Sequence, residues 1–196
     1  MVLNDYLRKF RIKLTVKKSN FEQVNYQFHC FKKGEIMKNP YAISDFEKLR
    51  KNGFHYIDRT DRIPNIENTG EYLLFLRPRR FGKSLLLSTL KNYYDMGKKD
   101  DFDTLFSDLW IGQHPTPLAN QYFVLKWDFS CVKCHGTNTE IEKSLYTHVN
   151  DRIKRFASDY AHLLPMKIQI NECDGISSFE SLLTVIIRHL INYIFS

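Results

Sequence analysis

The sequence predicts an α/β fold, in which helices cover the faces of a mainly parallel β-sheet. Two continuous apolar runs of strand length, at residues 72–76 and 122–125, are typical of strands buried on both faces of such a sheet. Other stretches place apolar residues at helical spacing. Because strands that alternate with helices are typical of α/β sheet proteins, these observations together predict the fold class.

Length and composition are those of an ordinary globular protein. The chain has 196 residues, enough for one domain, of which 43% are apolar and 26% are charged. No apolar run is long enough to span a membrane, and the N-terminus lacks the apolar stretch of a signal peptide. We therefore predict a cytoplasmic protein without membrane contact, whose four cysteines stay reduced.

The net charge of +7 is concentrated near the N-terminus. Residues 1–38 hold nine Lys or Arg and three acids, whereas the rest of the chain holds twenty bases and nineteen acids. We predict a basic N-terminal segment at residues 1–38 and a nearly neutral domain at residues 39–196. The segment could contact nucleic acid or another polyanion. A solvated leader without a partner is the simpler alternative.

The predicted elements before the second apolar run are short. Ser44 and Glu47 form a predicted capping box for a helix that ends at Gly53. Residues 54–57 are a strand candidate, and residues 60–67 are a turn or a short helix interrupted by a proline.

Longer elements follow the first apolar run. The predicted helices cover residues 83–94, 102–109, 139–160 and 179–194. We assign Thr139 and Glu142 as the capping box of the long helix, and Ser177 and Glu180 as the cap of the last one. Alternating apolar residues at 166–170 predict a further strand.

A phosphate-binding motif lies between the first apolar run and the helix after it. Gly82, Lys83 and Ser84 supply the second half of the P-loop pattern G-x-x-x-x-G-K-[ST]. Arg77 stands where the first glycine of that pattern is expected, and Pro78 follows it. The generic pattern alone therefore leaves a fortuitous Gly-Lys-Ser as an alternative.

Each residue of the motif has a physical role in binding phosphate. Gly82 would let the backbone approach the phosphates without a clashing side chain. The amides of the following helix start would point at them, and the helix dipole favours their charge. Lys83 would bring a positive charge to the β and γ phosphates, and the hydroxyl of Ser84 would coordinate Mg²⁺.

Three segments resemble the AAA-ATPase-like family, many of whose members carry a C-terminal nuclease-like domain of the PD-(D/E)XK type. These segments are residues 41–49, 56–60 and 76–87. The phosphate loop of that family reads R-P-R-R-F-G-K-[ST], so Arg77 departs from the generic motif but matches the family. The resemblance covers about residues 40–196 and implies a P-loop NTPase-like three-layer sandwich that binds ATP with Mg²⁺.

The resemblance also implies which residues bind the nucleotide. They are Arg77, Pro78, Arg79, Arg80, Phe81, Gly82, Lys83, Ser84 and Leu85, with Ser84 as the Mg²⁺ ligand. The paired Arg79 and Arg80 either neutralise phosphate charge or pair with carboxylates such as Asp58. For Asp58 itself, a turn or cap role is the simpler interpretation.

The family's Mg²⁺-binding Asp and catalytic Glu belong to a later apolar run ending D-E-Y-D, which this sequence lacks. We therefore expect an incomplete domain, truncated before the Walker B strand, that binds ATP but hydrolyses it poorly, with its catalytic residues unassigned. Asp128 ends an apolar run and is a weaker candidate metal ligand, since Phe129 and Ser130 follow it. A missing central strand would expose a sheet edge and promote self-association. The alternative function is a non-catalytic fragment that binds a protein partner or nucleic acid.

A short cysteine motif follows Asp128. Cys131, Cys134 and His135 match the haem-attachment pattern C-x-x-C-H and half of a zinc site. A zinc site needs a second ligand pair, for which Cys173 and His148 are the candidates. A reduced cysteine pair in a loop is the simplest interpretation.

Overall fold

The computed structural model describes residues 38–195, with side chains described as far as residue 190. The predicted basic segment therefore lies outside the described residues, apart from Lys38, and its binding role stays a prediction. The chain divides into two compact units, the first ending at Tyr122 and the second starting at Phe123. No helix of the described part is long and apolar enough to cross a membrane.

The first unit is built from short helices around one longer helix. Its α-helices are α1 (Phe46–Lys51), α2 (Ile63–Thr69), α3 (Lys83–Tyr94), α4 (Phe102–Phe106) and α5 (Trp110–Gln113). Two 3₁₀-helices, Thr60–Arg62 and Met96–Asp101, precede α2 and α4. The proline of the 60–67 segment lies in the first turn of α2, where its missing N–H costs nothing, so it begins a helix rather than interrupting one.

Aromatic and aliphatic side chains form one core in this unit. Its buried members are Phe46, Ile63, Tyr93, Leu105, Phe106, Leu109 and Ile111. Phe106 lies at the centre, because its ring stacks on Phe46 at 5.0 Å and meets Tyr93 edge-on at 5.6 Å. Leu85 and Leu90 of α3 pack against the same core, which fixes the helix that follows the phosphate loop.

The predicted fold class is wrong for this structure. The described residues contain no β-sheet, and their strand-like pairing consists of two isolated parallel bridges, Lys38 with Phe54 and Asp95 with Tyr122. The α/β three-layer sandwich with a mainly parallel sheet therefore has to be withdrawn. Its predicted strands at residues 54–57, 72–76, 122–125 and 166–170 are neither helix nor sheet apart from these bridges.

The segment 72–76 shows why apolar content failed to predict a strand. Leu73 is buried, with 6% of its surface exposed, whereas Leu74 and Leu76 are 42% and 75% exposed. A strand buried on both faces needs neighbouring strands to pair with its backbone. Those neighbouring strands come from distant parts of the sequence, and a run of five apolar residues does not show whether they exist.

The second unit consists mainly of two long helices, α6 (Asn138–Asp159) and α7 (Gly175–Phe195), which pack together. A 3₁₀-helix at Phe129–Cys131 precedes them. The buried apolar residues of this unit are Ile153, Phe156, Tyr160, Leu182, Val185 and Ile186. The amide of Val124, within the second apolar run, donates to the hydroxyl of Tyr160 at 3.0 Å. Tyr160 is the C-cap of α6, so a side chain and not a neighbouring strand accepts this bond.

Backbone amides also donate to side-chain hydroxyls at residues 166–171, which include the predicted strand 166–170. The amides of Gln169 and Asn171 donate to the hydroxyls of Ser181 and Ser178 on α7, at 2.9 Å and 2.8 Å. Serine side chains thus take the place of a neighbouring strand as hydrogen-bond partners for this segment.

The helices were predicted well and their caps less well. The capping box of α6 joins Thr137 and Glu140, two residues before the predicted pair. The cap of α1 is Asp45 rather than Ser44. The side chain of Asp174 accepts from the amides of Ile176 and Ser177 at the start of α7. In each case two polar residues compete for the cap position, and spacing alone does not choose between them.

Candidate functional site

All the predicted phosphate-loop residues lie in the first unit, in the connection that leads into α3. The backbone turns at Arg79 and Arg80, bends at Phe81 and Gly82, and becomes helical at Lys83. The helix then runs for 12 residues to Tyr94, as predicted. The connection therefore presents its last residues directly at a helix N-terminus.

Gly82 is the N-cap of α3 and has the left-handed backbone conformation, with φ 75° and ψ 16°. A Cβ atom built on this glycine meets no protein atom within 4 Å, and the expected close approach of phosphates to its backbone stays a prediction. The backbone conformation is therefore what requires glycine in this structure. Arg80 also has positive φ, at 68°, which is unusual for a residue with a long side chain.

The first turn of α3 offers backbone N–H donors. The amide of Leu86 donates to the carbonyl of Gly82 at 2.9 Å, the first bond of the helix. The amides of Lys83, Ser84 and Leu85 come before this bond. The first N–H groups of a helix have no carbonyl acceptor within the helix. No side chain caps this end within the described residues. Together with the helix dipole, these donors favour an anion here.

Lys83 joins the two ends of the loop. Its Nζ donates a hydrogen bond of 2.6 Å to the carbonyl of Arg77, six residues earlier. The side chain is half-buried, whereas the neighbouring Ser84 is exposed. The ammonium group is thus held over the loop, close to the helix N-terminus that follows.

The arginines of the loop differ in their surroundings. The guanidinium of Arg77 lies over the ring of Phe75, 4.9 Å from its centroid. Arg79 and Arg80 are exposed, and within the described residues neither forms an ion pair with a carboxylate. The suggested pairing of these two arginines with Asp58 is therefore not formed. Their positive charge remains available at the surface beside Lys83.

Asp58 has the turn and cap role that we considered the simpler interpretation. Its Oδ1 accepts from the amide of Thr60 at 2.8 Å and from the hydroxyl of Thr60 at 2.7 Å. Its Oδ2 accepts from the amide of Trp110 at the start of α5, at 2.7 Å. The hydroxyl of Thr60 in turn accepts from the buried amide of Ile111 at 3.1 Å. Asp58 thus joins two segments far apart in sequence.

Helix α3 is held in place along its length. At its middle, the hydroxyl of Ser88 accepts from the amide of Phe46, the first residue of α1, at 2.9 Å. A second attachment near its end was not apparent from the sequence. There, Glu67 of α2 accepts from the hydroxyls of Tyr94 and Thr116 at 3.0 Å and 2.8 Å. The loop therefore leads into a helix that is held at its middle and at its C-terminal end.

The Glu67 cluster changes the ionisation of its neighbours. Burial, followed by the nearby Glu67 carboxylate, raises the pKa of Tyr94 well above its usual range. Burial and the same carboxylate raise the pKa of Tyr122. Both hydroxyls therefore stay protonated at physiological pH. No sequence signal identified the cluster, because its members lie on segments widely separated along the chain.

Asp128, the candidate metal ligand, lies in the second unit. Its Oδ1 accepts from the hydroxyl and the amide of Ser130, at 2.6 Å and 3.1 Å. Chiefly these two bonds lower the pKa of Asp128. The carboxylate is fully exposed and stabilises the turn into the 3₁₀-helix that follows. Its role in a metal site stays a prediction.

The cysteine motif lies in an exposed loop of the second unit. Cys131, Cys134 and Cys173 are exposed free thiols. His148 is buried, and its ring lies 5.9 Å from that of Phe129. Among residues 38–190 no three cysteine, histidine or acidic side chains come together as a metal site. The described structure therefore offers no support for the zinc alternative.

Comparison with known proteins gives one family. A family model described as Predicted AAA-ATPase matches residues 40–195. A curated relative, the "Uncharacterized protein in vnfD 5'region" of Azotobacter chroococcum mcd 1, is 38% identical over 58 residues. That alignment covers 29% of this chain and 11% of the relative. No solved structure matches the chain.

Proposed function

This chain belongs to the AAA-ATPase-like family, and on that premise we propose that its loop at residues 77–85 binds the phosphates of ATP. The supporting observation is the geometry around Gly82. A left-handed glycine begins a helix whose first turn is uncapped, and the lysine that follows holds its ammonium group over the loop. This arrangement suits a polyanion with several oxygens.

In the proposed complex, three groups of the chain share the phosphate charge. The amides of Lys83, Ser84 and Leu85 donate to phosphate oxygens along the helix axis. The ammonium of Lys83 exchanges its present carbonyl partner, Arg77, for oxygens of the β and γ phosphates. Arg79 and Arg80, exposed and without carboxylate partners in the described part of the chain, add positive charge at the rim.

Mg²⁺ would reach the site with the nucleotide. The hydroxyl of Ser84 is exposed and follows Lys83 directly, so it fits the role of a single hydroxyl ligand for a hydrated Mg²⁺. The sequence from residue 72 to residue 94 holds five Lys or Arg and no acid. This segment therefore supplies phosphate ligands and one metal ligand but no carboxylate. Separately, we propose Asp128 as a weaker candidate for a metal ligand.

We propose that this chain hydrolyses ATP slowly if at all. Asp128 is followed by Phe129 and Ser130, so no second acid stands beside it to orient an attacking water. Substitution of Asp128 by Asn tests the metal role. We expect weaker binding of ATP in Mg²⁺ and unchanged binding in EDTA.

Calorimetric titration with ATP and Mg²⁺ tests the main proposal. We expect the Lys83→Ala variant to bind at least about tenfold more weakly, because a charge-assisted bond to phosphate is lost. Lys91→Ala is the matched control, since Lys91 lies in the last turn of the same helix. Equal binding by the native chain and both variants, with unchanged circular dichroism, would falsify the proposed role of the loop.

Nucleic-acid binding through residues 1–38 is a second candidate, which rests on their excess of six positive charges. Phosphate contacts make such binding strongly salt-dependent. We expect affinity for a single-stranded oligonucleotide to fall steeply between low and high salt, and to disappear when residues 1–38 are deleted. Binding that is insensitive to salt or to the deletion would exclude this function.

Self-association was predicted from an exposed sheet edge, and the absence of a sheet in the described residues removes that reason. Exposed apolar side chains beside the loop, such as Leu76 and Phe81, provide a different one. We propose weak self-association through them, opposed by the surrounding positive charge. Sedimentation of Leu76→Ser against the native chain tests this.

A further inference from the structure

An apolar groove lies within the second unit, between the first half of α6 and the first turns of α7. We name it the α6–α7 groove; its volume is 670 Å³. Its lining includes Trp127, Ile141, Leu145, Val149, Ile176 and Phe179. Three of these residues, Ile141, Leu145 and Val149, follow one another at intervals of four along α6, so they form a continuous floor.

Close packing fixes the position of the groove's wall. At Gly175 a Cβ atom would lie 3.1 Å from carbon atoms of both Tyr146 and Val149, so the two helices approach each other closely here and a larger residue would push these side chains aside. Ile176, the next residue, is 63% exposed at the rim. The groove is therefore formed by packed helices and yet open to solvent. An open apolar surface of this kind suits a protein segment better than an enclosed small molecule.

The charged side chain that lines the groove is acidic, in a protein whose net charge is +7. Glu142 is the charged residue of the lining, and its carboxylate accepts from the hydroxyl of Tyr146 at 2.9 Å. Near the start of α7 the acids are Asp174 and Glu180, whereas Glu172, just before it, is already paired with the Nζ of Lys154 at 2.7 Å. A partner with positive charge beside its apolar residues would match this surface.

We propose that the α6–α7 groove docks one face of a basic amphipathic helix from a partner protein. Apolar side chains of that helix, one turn apart, would pack on Ile141, Leu145 and Val149. A Lys or Arg at the edge of its apolar face would pair with Glu142. Like charges would disfavour an acidic helix of the same shape.

Synthetic peptides can probe this surface directly. The probe is a helix of about five turns with leucines on one face and lysines beside them, and the comparison peptide replaces the lysines by glutamates. The full chain carrying Trp110→Phe keeps Trp127, in the groove, as its single tryptophan. We expect the basic peptide to change the emission of Trp127 saturably. We expect the acidic peptide to bind at least about tenfold more weakly.

Paired variants separate the apolar contribution from the charge. Ile176→Ser, which removes apolar surface without adding charge, should weaken the basic peptide about tenfold, whereas Met166→Ser, at an exposed position outside the lining, should not. Glu142→Lys should reverse the preference toward the acidic peptide. Asp151→Lys makes the same charge change on α6 outside the groove and should leave the preference unchanged.

Several results would overturn the proposal. They are no binding of either peptide to a folded chain, equal binding of both peptides, and an unchanged preference in Glu142→Lys. Sedimentation velocity could give one further contradicting result. A dimer of the native chain that Ile176→Ser abolishes would assign the groove to a second copy of this chain instead of a basic helix.

Discussion

The two sides of the phosphate loop differ in what determines their structure. After Gly82 the chain forms α3 between the residues predicted from sequence, and α3 packs into the core. Before Arg77 the predicted strand at residues 72–76 is neither strand nor helix, with Leu76 75% exposed. A helix satisfies its backbone with bonds inside its own segment, whereas a strand requires a partner from elsewhere. The loop thus joins a locally determined element to a segment whose partners local sequence does not specify.

The largest expected effect concerns the core on which α3 packs. Phe106→Ala removes a fully buried ring that touches Phe46 and Tyr93, and should lower the free energy of unfolding by about 3–5 kcal/mol. Leu76→Ala, on the exposed segment, should lower it by less than about 0.5 kcal/mol. Urea unfolding followed by circular dichroism measures both. Similar losses in the two variants would break the contrast between the two sides of the loop.

The same contrast explains what the sequence could predict. The ends of α3 and the existence of α6 and α7 follow from apolar spacing within each segment. The loop motif and the family resemblance likewise depend on neighbouring residues, and the family is confirmed. The sheet was wrong, because pairing between strands is not encoded in the apolar runs themselves. The bonds of Asp58 to Trp110 and of Glu67 to Thr116 escaped prediction for the same reason, since their partners lie 52 and 49 residues away.

Asp58 provides the next largest effect. Its carboxylate accepts from two groups of Thr60 and from the amide of Trp110, and Asp58→Ala leaves these donors without that partner. We expect a loss of about 2–3 kcal/mol in the free energy of unfolding, because three donors, two of them partly buried, lose a charged acceptor. Asp61→Ala, an exposed neighbour, is the control. If the proposed phosphate role of the loop is separate from Asp58, ATP affinity at low temperature should remain within about twofold of the native value.

Gly82 tests the helical side of the loop. Gly82→Ala places a Cβ on a residue with φ 75° and should lower the free energy of unfolding by about 1–2 kcal/mol. Arg80→Gly relieves the other positive φ of the loop and should have the opposite sign, with a gain below about 1 kcal/mol. Thermal unfolding of the two variants and the double variant measures both. If both variants change the free energy of unfolding in the same direction, the left-handed backbone conformation does not explain the preference for glycine at these positions.

Two threonine variants at the start of α6 compare the observed cap, Thr137, with the predicted one, Thr139. Thr137→Ala removes the bond to the amide of Glu140 and should cost about 1 kcal/mol. Thr139→Ala, at the position that the sequence pattern indicated, should cost less than about 0.5 kcal/mol. Chemical denaturation monitored by Trp127, in the Trp110→Phe background, reports on the second unit. A larger loss in Thr139→Ala would restore the predicted boundary.

The smallest effect is the pH dependence of a surface network in the first unit. Glu47 lies 2.8 Å from the Nζ of Lys51 and 2.9 Å from that of Lys98, and Asp101 contacts the same two lysines. Partial burial raises the pKa of Glu47, and the two ammonium groups lower it by more, so its folded pKa lies below the unfolded value. The stability it contributes is therefore present above the unfolded pKa and is lost as pH falls through the folded pKa.

Because the network is largely solvent-screened, its contribution should stay below about 1 kcal/mol. Glu47→Gln should consequently reduce the pH dependence of unfolding in the acidic range and leave the slope near neutral pH unchanged. High salt should diminish the difference between the variant and the native chain, since exposed charges are screened. The same change in slope for Glu71→Gln, an exposed carboxylate outside the network, would show that the ion pairs of α1 contribute nothing specific. In that case the stability of α1 would come from its buried residues Phe46 and Leu49 and not from its surface ion pairs. The same would then hold for α1 as for α3, which packs on the core that contains Phe46.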